Sequence, residues 1–212
     1  MGGRGAGSGN GPQSSGGHRR GDQRSVHPID ISKGKWRGLS LEKGESIIRK
    51  RTREVLLAYD ENGKLQAAYQ GNKQSVAFPT DLMTKKGWTV THGHPKGDAN
   101  FGGTFSFADV HNFNRSQWSE HRATASGKGE MNYILRANAK SNKKGFDQRL
   151  SRDEKRLERR YNAVYERVYN KTGNHHVARQ RATGLLQGYY KRVAPQYGIE
   201  FVSRKKDYKY GR

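Results

Sequence analysis

Residues 88–95 read Trp-Thr-Val-Thr-His-Gly-His-Pro, and this stretch decides how the chain is expected to fold. The β-branched and aromatic residues at 88–91 predict a buried strand that leads directly into His92. Side chains at positions i and i+2 of an extended segment point to the same face, so the imidazoles of His92 and His94 can reach one ion. The stretch therefore predicts a strand that ends in two potential metal ligands.

Residues 105–109, Phe-Ser-Phe-Ala-Asp, predict the start of a helix. Ser106 is the expected N-cap, and the helix is expected to run to about Glu120. Asp109 then lies on the first turn, where its carboxylate can give zinc a third protein ligand and leave a fourth position for water. The chain has no cysteine, so a metal must be held by His, Asp and Glu, which suits catalytic zinc. The predicted cofactor is Zn²⁺, held by Asp109 and the two histidines.

A catalytic acid is expected at the head of another strand. Residues 54–59 form a short apolar run, and the Asn-Gly pair at 62–63 signals a hairpin turn before a second strand over 64–69. Zinc lowers the pKa of a bound water toward ~7, and a nearby carboxylate can then take its proton. Glu54 is the candidate for this base, and the hydroxyl of Ser106 can stabilise an oxyanion.

Each of these residues also has a simpler interpretation. Glu54 can be a solvated carboxylate at a strand edge, paired with Arg51 or Arg53, in which case Glu45 is the substitute base. Ser106 can be a plain helix N-cap, which is compatible with the oxyanion role.

The two motifs together resemble the His-x-His-Pro and Ser-x-x-Asp signature of the JAB/MPN (JAMM) metalloprotein family, including its RadC-like branch and short JAB-like proteins of phages and mobile elements. The resemblance covers about residues 40–137. It implies zinc ligands His92, His94 and Asp109, general acid/base Glu54 and oxyanion support from Ser106. It also implies a mixed sheet flanked by helices, of the cytidine-deaminase-like sort, and hydrolysis of peptide or isopeptide bonds.

The chain departs from that family pattern at two places. Gly93 stands where RadC-like members usually carry Asn, and this side chain is expected to point away from the metal. Eleven residues separate His94 from Ser106, more than in the short phage-type motif. The extra residues 98–103 are expected to form a flexible loop, either a substrate lid or a tolerated insertion.

The whole chain is predicted to have an α+β fold in three parts. Residues 1–25, rich in Gly, Ser and Arg, are expected to be a disordered arm. Residues 26–140 are expected to form the metal-binding domain, with a helix capped by Ser40 and a strand over 131–137. Residues 141–212 are expected to be a basic helical extension.

That extension is predicted to be an αα-hairpin. Apolar residues repeat every three or four positions from Ser151, Gly173 and Asn174 break the pattern, and a second helix runs from about His175 to Ala194. A terminal strand is expected over 198–203. Its tyrosines are expected to pack between the two helices, with a stacking platform for bases as the alternative. The tyrosines are Tyr161, Tyr165, Tyr169, Tyr189 and Tyr190.

Two further histidine positions are expected to have no metal role. His111 is interpreted as a partly buried helix residue, with a role as a supporting or replacement ligand as the alternative. His175 and His176 begin the last helix without a carboxylate at ligand spacing, and are interpreted as surface residues.

The formal net charge is +22, from 41 Lys and Arg against 19 Asp and Glu. Such an excess attracts polyanions, so nucleic acid or another polyanion is a predicted partner of the basic arm and C-terminal helices, beside a peptide or protein substrate. No run approaches the ~20 apolar residues of a membrane span, and no signal-peptide core is present. A cytoplasmic location is expected, or the virion if a phage encodes the chain.

Three hypotheses on function follow. The preferred one is a zinc-dependent hydrolase of JAB type, encoded by a phage or mobile element. The second is a nucleic-acid-binding accessory or virion-assembly protein that uses a JAB-like domain as a scaffold. The third is a zinc-dependent nuclease.

Overall fold

A computed structural model describes residues 26–73, 75–95, 104–125 and 131–205. The predicted disordered arm, the loop over 98–103 and the end of the basic tail lie outside these residues. The strands are β1 His27–Pro28, β2 Val55–Tyr59, β3 Leu65–Gln70, β4 Thr89–His94, β5 Glu120–Ala125, β6 Met131–Arg136 and β7 Glu200–Lys205. The helices are α1 Leu41–Arg49, α2 Thr80–Met83, α3 Phe107–Arg115, α4 Lys143–Thr172 and α5 His175–Val193.

The strands form one mixed sheet in the order β1-β3-β2-β4-β5-β6-β7. β4 and β5 pair in parallel, and the other neighbouring pairs are antiparallel. The predicted α+β class with a mixed sheet and helices is confirmed. Among the described helices, none is long and apolar enough to cross a membrane.

The two faces of the sheet carry different residues. His92 of β4 pairs with Leu56 of β2, so both side chains point to one face, which we call the site face. Thr91 pairs with Leu57, and both point to the opposite face, which we call the α1 face. Val55 to Tyr59 are all buried because both faces of β2 are covered.

Helix α1 covers the α1 face at the centre of the sheet. Ser40 caps it as predicted, by accepting a hydrogen bond from the backbone N–H of Lys43. Ile48 of α1 lies directly over β4, and a Cβ atom at Gly93 would approach the carbonyl oxygen of Ile48 to 3.1 Å. Gly93 therefore points away from the site face, as predicted, and leaves room for α1.

The C-terminal residues up to 205 belong to the same sheet and the same core as residues 104–125 and 131–136. β7 pairs antiparallel with β6 along its length, and α4 packs against both α3 and α5. The main hydrophobic core combines side chains from α3, α4, α5 and the sheet. Among its members are Phe107, Val110, Tyr133, Leu150, Leu157, Leu186 and Tyr190. This core supports α3 on the site face.

Two predicted element boundaries are wrong. α3 ends at Arg115 rather than near Glu120, because Ser116 is extended and Glu120 already begins β5. α4 begins at Lys143 rather than Ser151, because the side chain of Asn142 accepts a hydrogen bond from the backbone N–H of Gly145 and caps the helix there.

Candidate metal centre

Three of the predicted site residues converge on the site face of the sheet. The Nε2 atoms of His92 and His94 lie 2.8 Å apart. Oδ1 of Asp109 lies 3.4 Å from Nε2 of His92, and Oδ2 lies 3.8 Å from Nε2 of His94. Ligand atoms that bind one zinc ion at about 2 Å lie about 3 to 4 Å from one another, so the two distances to Asp109 fit a shared ion. The two imidazole nitrogens, 2.8 Å apart, would have to separate by a few tenths of an ångström to bind it.

The local sequence explains how each ligand reaches this point. His92 and His94 share a face because they are two residues apart in β4. Asp109 is held by a capping box at the start of α3, as the Ser-x-x-Asp spacing predicts. The backbone N–H and the hydroxyl of Ser106 both donate to Oδ2 of Asp109 at 2.8 Å. The carboxylate is therefore oriented toward the histidines before any ion binds.

Ser106 is the N-cap of α3, as predicted. Its hydroxyl oxygen also accepts a hydrogen bond from the backbone N–H of Asp109 at 3.2 Å. Since the hydroxyl donates its proton to Asp109, it would have to release this bond before it could donate to an oxyanion. The oxyanion role of Ser106 stays a prediction.

Glu54 precedes β2 and lies on the same face as the two histidines. The pairing of Leu56 with His92 places residue 54, two positions earlier, on the site face and toward His94. Glu54 is buried, which raises the pKa of its carboxyl to about 7; the nearby His92 lowers this pKa and Asp109 raises it. Glu54 is thus a buried acid beside the candidate ligands, and the structure does not place it at the solvated sheet edge.

Glu45, the substitute for Glu54, lies on the opposite face of the sheet. Its Oε1 accepts hydrogen bonds from Nη1 of Arg122 at 3.0 Å and from the hydroxyl of Thr91 at 3.3 Å. Its Oε2 accepts one from the side-chain amide of Asn132 at 3.3 Å. Because α1 and the sheet enclose these groups, Glu45 cannot reach the cluster of His92, His94 and Asp109. The alternative that gave it the catalytic role is wrong.

His121 is a site residue that sequence reasoning missed. It lies in β5, directly beside β4, and its side chain points to the site face together with that of His92. Nε2 of His121 lies 3.2 Å from Nδ1 of His92. Phe78, Phe105 and Trp118 pack around its ring, with ring centroids 5.2 to 5.5 Å away. The signal in the sequence was a histidine at an inward position of a strand that was not recognised as one.

His92, Asp109 and His121 form a buried group whose donor atoms lie within 4.8 Å of one another and which can hold a metal ion. This group shares two members with the predicted set of His92, His94 and Asp109. The atoms of His92 distinguish the two sets. Its Nε2 faces His94 and Asp109, whereas its Nδ1 faces His121. The distances thus favour His94 as the third ligand. His121 contacts the other ring nitrogen of His92, Nδ1.

Electrostatics couples these groups. Burial alone would lower the pKa of His92, but the carboxylates of Asp109 and Glu54 outweigh it and raise that pKa. Burial would raise the pKa of Asp109, but His92 and the other nearby histidines hold it well below its usual range. Burial lowers the pKa of His121 to about 3, and the neighbouring charge of His92 acts in the same direction. The imidazole of His121 is therefore neutral and able to accept a hydrogen bond.

His111 and His175 lie outside this cluster. Nδ1 of His111 contacts Oδ1 of Asp147 at 2.5 Å, and its Nε2 contacts Oε2 of Glu154 at 3.3 Å. His111 is buried rather than partly buried, and it joins α3 to two acids of α4. His175 is exposed and Nδ1 contacts the hydroxyl of Tyr165.

Comparisons of the chain with protein-family models, with curated proteins and with solved structures found no match in any of the three. The chemical case for this centre therefore depends on its geometry. Two imidazoles and a carboxylate, without a thiol, form a donor set typical of catalytic zinc rather than structural zinc.

Proposed function

We propose that this chain is a zinc-dependent hydrolase of JAB type that cleaves peptide or isopeptide bonds. The observation that carries the proposal is the convergence of His92, His94 and Asp109 around one point, with the buried acid Glu54 on the same face. A catalytic zinc site needs three protein ligands, an open position and a nearby proton acceptor. His92, His94 and Asp109 supply the three ligands, and Glu54 supplies the proton acceptor.

The proposed chemistry divides into distinct roles. A zinc ion bound there would lower the pKa of a water molecule and polarise the carbonyl of the scissile bond. Glu54 takes the proton from the attacking water and later gives it to the leaving amine. Burial raises the pKa of this carboxyl, which favours proton uptake from the attacking water, and a bound cation would act in the opposite direction. Asp109 and the histidines hold the ion, and Ser106 orients Asp109.

The proposal includes the finer fold. We propose that the sheet with α1 and α3 is of the JAB, cytidine-deaminase-like sort, and that α4 and α5 form an antiparallel hairpin added to it. The short connection at Gly173 and Asn174 and the packing of α4 against α5 support the hairpin.

The test is zinc-dependent cleavage by the full chain. Zinc-loaded protein would be incubated with a fluorogenic peptide library and with lysine isopeptide-linked peptides, and products would be identified by mass spectrometry. We expect cleavage that a chelator removes and zinc restores. Glu54→Gln is expected to retain zinc and to lower turnover by about 10² to 10⁴ fold, the usual contribution of a general base.

Glu45→Gln is the matched control, because it makes the same chemical change on the opposite face of the sheet. Its folded fraction is expected to turn over at the wild-type rate. Failure of the zinc-loaded wild-type chain to cleave any of these substrates would contradict the proposal, as would equal turnover by wild type and Glu54→Gln.

A further inference from the structure

An aromatic stack lies where α4 ends and α5 begins. The ring of Tyr169 is parallel to that of Tyr165, with an interplanar angle of 7° and centroids 6.1 Å apart. The imidazole of His175 stacks on Tyr169 with centroids 4.1 Å apart. The hydroxyl of Tyr165 contacts Nδ1 of His175 at 2.5 Å, which holds the imidazole in place. We call these three residues the tip stack.

The tip stack differs from the other tyrosines of the two helices. Tyr161, Tyr189 and Tyr190 are buried in the main core, as their predicted packing role requires. Tyr165 is half-buried and packs against that core, whereas Tyr169 is half-buried but is not one of its described members. His175 is exposed, and of the described rings only Tyr165 and Tyr169 contact it. Core packing therefore does not account for Tyr169 and His175.

The surrounding charge is strongly positive. From residue 159 to residue 193 the chain has eight Lys and Arg and a single acid, Glu166. The eight are Arg159, Arg160, Arg167, Lys171, Arg179, Arg181, Lys191 and Arg192. Within the described part of the chain, none of them forms an ion pair. Over residues 159–193 the two helices therefore carry a positive charge that the single acid of this stretch does not balance.

Arg167, Lys171 and Arg179 lie within four residues of the tip stack along the chain, and Arg167 lies between its two tyrosines. Arg179 lies one turn after His175 in α5, and its charge acts on Tyr161, one turn before Tyr165 in α4. Lys171 is exposed on the last turn of α4, two residues after Tyr169. Cations thus flank the rings on both helices.

We propose that the tip stack and its flanking cations bind single-stranded nucleic acid. One face of the His175 imidazole lies on Tyr169, so an unpaired base can extend the stack on the other face. Lys171 and Arg179 then contact the adjoining phosphates. A duplex does not fit this chemistry, because its bases are already stacked on one another. This binding activity is separate from the proposed hydrolase.

The experiment compares two strands of equal charge. A fluorescein-labelled 15-nucleotide oligothymidylate and an abasic strand of the same length would be titrated with the full chain, and affinities measured by anisotropy. The wild-type chain is expected to bind oligothymidylate roughly tenfold more tightly than the abasic strand, since stacking contributes only where bases are present. Basic residues elsewhere act on both strands equally and cancel in the ratio. An oligouridylate arm shows whether DNA or RNA is preferred.

The variants separate stacking from charge. His175→Ala and Tyr169→Ala are expected to abolish the preference for oligothymidylate and to leave the abasic affinity unchanged, and His175→Phe is expected to restore the preference. Lys171→Ala is the matched charge control. It is expected to weaken the binding of both strands by the same factor and to reduce the salt dependence of that binding. Equal wild-type affinity for the two strands would overturn the proposal. So would a preference that survives in both alanine variants, or polyglutamate binding that His175→Ala weakens to the same extent.

Discussion

Nε2 of His121 lies 3.2 Å from Nδ1 of His92, on the side of the imidazole opposite to the atom that faces His94 and Asp109. A histidine that binds a metal through Nε2 carries its proton on Nδ1 and usually donates it to a neighbouring group that fixes the ring. Burial lowers the pKa of His121 to about 3, so its imidazole is neutral and can accept this hydrogen bond. We therefore expect His121 to fix the tautomer and orientation of His92 when His92 binds a metal through Nε2.

His121→Phe tests this relationship. Phenylalanine fills the space among Phe78, Phe105 and Trp118 but cannot accept a hydrogen bond from His92. The zinc dissociation constant is expected to rise about 10 to 100 fold, the usual effect of removing such a partner. Competition with a zinc-binding dye measures it.

Phe113→Leu is the packing control for this variant, because Phe113 stacks on the ring of His121 without a polar contact. It is expected to change zinc affinity far less than His121→Phe. Wild-type zinc affinity in His121→Phe would contradict the positioning role. Residual bound zinc with one histidine fewer in its X-ray absorption spectrum would instead make His121 a ligand itself.

Glu45 is expected to matter for stability and not for the metal. Glu45→Gln removes the charge that Nη1 of Arg122 contacts inside the protein, and hydrogen bonds to charged groups are worth about 1.5 to 3 kcal/mol. The free energy of unfolding in urea should fall by about that amount. Zinc affinity of the folded protein should not change, and a drop in affinity without a drop in stability would show that the α1 face and the metal site are not independent.

Ser106→Ala is expected to affect both helix and metal. Loss of an N-cap costs about 0.5 to 2 kcal/mol, which urea unfolding detects. Zinc affinity should also fall, because Asp109 keeps the hydrogen bond from the backbone N–H of residue 106 but loses the one from the hydroxyl. Ser106→Thr keeps a hydroxyl at this position and should restore both quantities. If the alanine variant lost stability alone, the orientation of Asp109 would not depend on this hydroxyl.

Lys143 is expected to make stability depend on pH. Its Nζ donates to the carbonyl oxygens of Ser116 and Trp118 at the end of α3, and burial lowers its pKa from 10.5 to about 7. Between these pH values the unfolded chain holds a proton that the folded chain does not. The free energy of unfolding should therefore rise as pH rises from about 7 to about 10.5. The Lys143→Met variant should lack this part of the rise. Parallel wild-type and variant curves of the free energy of unfolding against pH would refute the prediction.

Elements whose pattern reflects local chemistry could be predicted from the sequence. The apolar run at β2, the β-branched run before His92 and the caps Ser40 and Ser106 all act within a few residues. The convergence of His92, His94 and Asp109 could also be predicted, because strand alternation and a helix first turn fix where the side chains point.

Strand β5 could not be predicted in the same way. Its sequence, Glu-His-Arg-Ala-Thr-Ala, looks polar and solvated, yet every residue is buried. Arg122 is compensated by Glu45 from α1 and by Glu120, and Arg136 of β6 also contacts Glu120. Glu45 lies 77 residues from Arg122 in sequence and Arg136 lies on the neighbouring strand, so no local pattern reveals these two partners. Since β5 was missed, the role of His121 was missed with it.

The most direct test of the account is the zinc content of the purified full chain, measured by native mass spectrometry and by titration. We expect one zinc ion per chain in the wild type. We expect His94→Ala and Asp109→Ala to retain no zinc when zinc and protein are present at a one-to-one ratio. The same measurement on His111→Ala, which removes a buried histidine outside the cluster, should still give one ion. A wild-type chain without stoichiometric zinc, or wild-type affinity in both His94→Ala and Asp109→Ala, would contradict the metal centre.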